Sequence, residues 1–235
     1  MFRRILLILT AAAIVLCSCG CGSGRLLFET SEGGYDFAVY GSEDGVHKVT
    51  VSKYGKKLQD LIFSARRQGQ PYAEGDGQNY GLILTDADLD GNLDVIAQTS
   101  RVEGSEKYIF YFGTDKDKFE KHEELSSATA PRFGDGDGKI YVEERKIDVF
   151  SEKTEHDPAM YTEYRTLKIY SRGETGVVLT GGEGTVYYSE EDIYCLVTYV
   201  TDENEPGTLI PDEEKWLEPS KYEALGYELF PPYGN

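Results

Sequence analysis

Residues 86–94 read DADLDGNLD, and few nine-residue stretches leave a chain so little freedom. Asp86, Asp88 and Asp90 stand at alternate positions, Gly91 is sixth and Asp94 is ninth. Alternate carboxylates in a tight loop turn toward one point, and a glycine takes the sharp bend between them. The arrangement suits a hard cation with about six to eight oxygen ligands at about 2.3–2.6 Å, which describes calcium better than magnesium with its water-rich octahedron. The expected ligands are the side chains of Asp86, Asp88, Asp90 and Asp94, with the backbone carbonyl of Asn92 at position seven. Apolar runs, Tyr80 to Leu84 and Leu93 to Ala97, flank the loop, so it joins two strands.

A strand–loop–strand calcium site differs from an EF-hand, which needs helices on both sides and a bidentate glutamate at position twelve, where this chain has Ala97. It resembles the calcium loops of integrin-type propellers, the FG-GAP and VCBS repeat proteins. The order that follows is an aromatic strand at Lys107 to Gly113, a polar turn at Thr114 to Lys118, Phe119, Leu125, Pro131 with Phe133, and a new strand at Lys139 to Glu143. Over residues 80 to 145 this order resembles small periplasmic or surface β-propeller-like proteins. That group includes inhibitors and immunity proteins directed against peptidoglycan-cleaving enzymes such as lysozymes. The resemblance implies an antiparallel β-propeller-like domain. Such repeats recur, however, and the full loop occurs once here. Phe133 to Ile140, FGDGDGKI, echoes it, but counting from Asp135 puts Lys139 at position five, and a lysine cannot ligate calcium. That stretch reads as a hairpin turn, and a β-sandwich is the alternative fold.

Tyr (18), Phe (10) and Gly (26) are abundant and long helical-period apolar runs are missing, so strands joined by tight turns are expected throughout. Tyr35 to Tyr40, Val46 to Lys53, Lys57 to Ala65, Glu144 to Val149, Tyr161 to Tyr170, Val177 to Leu179, Gly184 to Tyr188 and Ile193 to Thr201 read as strands. Lys57 to Ala65 also fits one short helix, with Leu58, Leu61 and Ile62 at helical spacing; the hairpin with Val46 to Lys53 is preferred. Gly69 to Gln78 and Ser151 to Met160 read as loops, and Thr201 to Glu214, with Pro206 and Pro211, as an exposed excursion. Ser220 and Glu223 have the form of a capping box, predicting a short C-terminal helix over Ser220 to Leu225 that Gly226 stops. Trp216, Tyr222, Tyr227 and Phe230 either dock the C-terminus onto the core or form a binding face.

At the N-terminus two arginines precede the apolar run ILLILTAAAIVL, too short for a membrane span and suited to an export signal over residues 1–18. Val15 to Cys19 resembles the bacterial lipobox, with Cys19 as the lipid acceptor after the small Ser18; an ordinary secretory signal is the alternative. The resemblance implies an extracytoplasmic protein held at a bacterial membrane by its lipid alone. Residues 19–34 are expected as a flexible tether and 35–235 as a single all-β calcium-binding domain. Cys195 lies in an apolar strand pattern and reads as a small buried hydrophobe; a disulfide to Cys21 is chemically allowed. Loss of Arg3 and Arg4 with the signal takes 24 basic residues to 22 against 42 acidic ones, and the net charge from −18 to −20. Such a surface repels nucleic acid and favours cations and basic proteins.

His47, His122 and His156 are far apart, and there is no HExxH, GxSxG or Walker sequence. His122-Glu123-Glu124 reads as polar surface. The chain is therefore expected to be no enzyme. The expected function is a lipid-anchored calcium-binding β protein that blocks a basic cell-wall hydrolase. A generic surface module for glycans or proteins and a carboxylate-dependent hydrolase are the alternatives.

Overall fold

Side-chain alternation along a strand sets which layer each residue joins, and in this chain it builds three layers. The computed structural model describes residues 24–42, 45–63, 79–103, 105–134, 136–151, 159–174, 176–205 and 207–230. The signal over 1–18, Cys19, Cys21, the loop over 69–78, Asp135 and His156 lie outside the described residues. The fold is all-β and antiparallel, in three open meander sheets. The first runs β1 (Arg25–Glu32), β2 (Tyr35–Ser42), β3 (Gly45–Lys53) and β4 (Lys56–Ile62). The second runs β5 (Leu82–Thr85), β6 (Asp94–Ser100), β7 (Lys107–Thr114) and β8 (Lys118–Lys121). A short helix, α1 (Glu123–Ser127), leads to the third sheet of β9 (Ile140–Ser151), β10 (Met160–Gly173), β11 (Gly176–Tyr188), β12 (Ile193–Thr201) and β13 (Leu209–Leu217), followed by α2 (Pro219–Ala224).

The second sheet is the middle layer. Val95, Ala97, Ile109 and Tyr111 join Phe37, Val49, Leu61 and Phe63 of the first sheet region in one buried cluster. Their neighbours Ile96, Phe110 and Phe112 face the other way, onto Ile140, Val142, Tyr170 and Leu179 of the third sheet. Burial on both faces is why β6 and β7 read as unbroken apolar runs where most strands alternate. The arrangement is sandwich-like, the alternative reading of the sequence rather than the propeller-like one, and each sheet is an up-and-down meander.

Lys56–Ile62 pairs antiparallel with β3, as the hairpin reading requires. Four expectations are corrected. From Arg25 the tether is a strand: Gly33 and Gly34 turn it back onto β2, and Leu27 and Phe28 pack on the first core. The excursion over Thr201 to Glu214 ends at Leu209, where β13 pairs with β12; Pro211 is tolerated because β13 is an edge strand with a register shift at that point. Val177 to Tyr188 is one strand, its glycines serving close approach rather than turns: a Cβ on Gly182 would lie 2.8 Å from Leu167 O. The C-terminal helix exists, but Glu218 is its N-cap and Pro219 takes the first turn, so Ser220 and Glu223 form no capping box. Gly226 ends it at φ 90°. Tyr222 then stacks on Tyr194 at 4.2 Å and Phe230 joins them, so the C-terminal segment docks on the third sheet.

Candidate metal centre

Thr85 pairs with Asp94, so residues 86–93 are the connection of the β5–β6 hairpin and must reverse the chain. They do so with left-handed backbone at Leu89 (φ 57°) and Gly91 (φ 86°). The reversal turns N–H groups onto carboxylates. Asp90 and Gly91 N–H donate to the two oxygens of Asp86, at 3.0 and 2.9 Å. Asp94 sits deepest, with no exposed surface; its Oδ2 accepts Ala87 N–H at 2.8 Å and its Oδ1 accepts Gly113 N–H of β7 at 2.9 Å.

Carboxylate oxygens of Asp86, Asp88 and Asp94 lie within 4.8 Å of one another, the one such acidic group among the described residues, and can hold a metal ion. The expected ligand Asp90 is not one of that group. Asp90 accepts Asn92 N–H at 2.7 Å and the Asn92 amide at 3.0 Å, and that amide also reaches Asp115 at 3.3 Å. Burial pushes the Asp94 carboxyl up to about 7; the Gly113 and Ala87 donors oppose the rise, and Asp88 and Asp90 add to it. Asp88 is raised by burial and by Asp90, against the pull of Arg172. A buried anion short of positive charge fits a cation.

Sequence reasoning missed three parts of this centre. Arg172, near the end of β10, places Nη1 3.1 Å from Asp88 Oδ2 and 2.8 Å from Asp90 Oδ2. Gly113 brings β7 so close that a Cβ there would lie 2.3 Å from Leu93 O. The turn over 136–138 packs on the loop, a Cβ on Gly138 lying 3.1 Å from Asp88 O. Within that turn Asp137 accepts Lys139 N–H at 3.0 Å and the Tyr141 hydroxyl at 2.6 Å, which suits a turn feeding β9. The glycine closing an aromatic strand was a legible signal; the arginine carried none.

Elsewhere, His122 is not polar surface. Its Nδ1 caps α1 by accepting Leu125 N–H, its Nε2 lies 3.0 Å from Val177 O, and Phe112 and Tyr170 pack on its ring. Cys195 is a buried thiol on β12, pushed up by burial. Glu163, fully buried, accepts Arg145 Nε and Nη2 at 2.8 and 3.0 Å and Arg165 Nε at 2.8 Å. Burial raises its carboxyl, the two guanidiniums outweigh that, and the net direction is down. Both arginines line a groove of about 1220 Å³ that crosses all five strands of the third sheet. On the other face of that sheet Trp216, half exposed, stacks on Tyr188 at 5.3 Å.

No protein-family model matches the chain, and no curated protein matches it. Among solved structures, a Xanthomonas type IV secretion system related protein is similar over 81% of this chain and 98% of its own, at 14% identity and a TM-score of 0.43. A likeness at that level bears on neither fold nor function.

Proposed function

We propose that the chain is an exported, lipid-anchored binding protein of the bacterial envelope, without catalytic chemistry, whose β domain is stapled by a calcium ion in an FG-GAP/VCBS-like loop at residues 86–94. The observation that carries the reading is the convergence of Asp86 with the buried Asp88 and Asp94 in a hairpin loop whose N–H groups turn inward onto the carboxylates. Calcium is plentiful outside the cytoplasm, and a loop of this kind supplies stability rather than signalling.

Thermal melts across pH test the metal. With chelator, stability should fall as pH rises from 5 to 7.5. Asp94 holds its proton to about 7 in the fold and releases it near 3.8 when unfolded, so the proton's contribution, full at low pH, is lost through this window. The slope is about 1.4 kcal/mol per pH unit per proton, or about 2.5 kcal/mol over the range. With calcium, which binds only ionised carboxylates, the fall should vanish or reverse. Coincident curves with chelator and with calcium would sink the calcium reading.

The partner favoured by a −20 surface is a basic protein, and a cell-wall hydrolase is the target that fits an envelope anchor. Binding to basic lytic enzymes should weaken steeply with salt. The second reading, a glycan-binding module, is favoured by the half-exposed Trp216 on Tyr188. Salt-insensitive binding to cell-wall glycans that Trp216→Ala abolishes would decide for it and against the hydrolase.

A further inference from the structure

The loop carries Asp86, Asp88, Asp90 and Asp94, with Asp115 beside Asn92, and a cation paired with Asp88 and Asp90 comes from another sheet. Arg172 pairs with Val177 at the tip of the β10–β11 hairpin, 84 residues from Asp88 in sequence. Its guanidinium is bonded to Asp88 and Asp90, whose carboxylates are nearly buried while the arginine is about a third exposed. These two carboxylates are ones that the one-three-five spacing offers to a divalent ion. Metal and guanidinium therefore compete for these carboxylates, Asp88 being a member of the acidic group itself.

We propose that Arg172 is a built-in counter-ion: it holds the loop closed before metal arrives, lowers calcium affinity by competing for Asp88 and Asp90, and is displaced when calcium enters. This rests on the calcium reading above. Without metal, four clustered carboxylates repel one another, and one guanidinium between two of them relieves part of that repulsion. With metal, the guanidinium must give up Asp88 and Asp90, because a unit charge kept about 5 Å from a divalent ion would cost about tenfold in affinity even at the dielectric of water. Both effects favour the metal-free state, so the arginine sets the site to respond to high calcium. Its displacement also frees the tip of the β10–β11 hairpin from the second sheet, so that calcium occupancy is reported on the third sheet, 84 residues away along the chain.

Calorimetric titration of the purified protein with calcium chloride tests this, with Arg172→Ala and Arg172→Lys beside the parent. Arg172→Ala should bind calcium about tenfold more tightly, melt lower in chelator and show the larger calcium-induced rise; Arg172→Lys should stay near the parent. Hydrogen exchange in residues 171–178 should quicken with calcium in the parent and be insensitive to it in Arg172→Ala. Parent binding with equal or weaker affinity in Arg172→Ala overturns the counter-ion and leaves the calcium reading standing. Absence of binding in parent and variant alike, at millimolar calcium, overturns both.

Discussion

Asp94→Ala is expected to lower the melting temperature by about 10 °C in calcium and to abolish the difference between calcium and chelator. The side chain has two separable roles. As an acceptor it satisfies Ala87 N–H on one oxygen and Gly113 N–H on the other, both out of contact with water. Each donor left unpaired costs about 1–3 kcal/mol, and a domain of this size loses about 2–4 °C per kcal/mol. As an anion it is the buried corner of the acidic group, so its loss also removes the calcium contribution. Asp94→Asn separates the two. It keeps an acceptor for one N–H and drops a charge that burial disfavours, so in chelator at pH 7.5 it should melt close to the parent, while its calcium response disappears. An Asp94→Asn protein that still rises in calcium would show that the aspartate is a backbone acceptor and no ligand.

The parts legible in the sequence were those that nearby residues fix. Nine consecutive residues define the loop, and the apolar runs beside it gave β5, β6 and their hairpin. Arg172 and the Glu163 network were illegible because their geometry depends on how sheets stack and strands register. Edge position decided two further cases. Pro211 argues against a strand only when its missing N–H faces a partner, and no spacing reveals that β13 lies at a margin. Arg25 to Glu32 looked like a tether because Gly and Glu surround it, yet Leu27 and Phe28 find a core that β2 and β3 create. His122 failed for a related reason: two glutamates follow it, but its ring is held by Phe112 and Tyr170 from outside the window.

Gly113→Ala should damage the centre more than Gly91→Ala, although Gly91 belongs to the motif and Gly113 does not. Gly91 has φ 86° and nothing within 4 Å of where a Cβ would stand, so alanine there meets backbone strain alone, about 1 kcal/mol. Gly113 meets the opposite problem. Its backbone is not left-handed, but a Cβ would stand 2.3 Å from Leu93 O and 3.3 Å from Asn92 Cβ. Those atoms belong to the loop's own return into β6, so relief requires β7 to draw away from it. Drawing away takes Gly113 N–H off Asp94 Oδ1 and lets the buried carboxylate swing from Asp86 and Asp88. The expected loss is about 3 kcal/mol, at the upper end for overpacking, together with at least tenfold in calcium affinity with every ligand intact. Gly91→Ala should keep calcium affinity within a few-fold, since the acidic group stays where it is. Paired melts and calcium titrations of the two variants read the difference directly. Gly91→Ala proving the worse on both measures would mean that the loop's own bend, and not the neighbouring strand, positions Asp94.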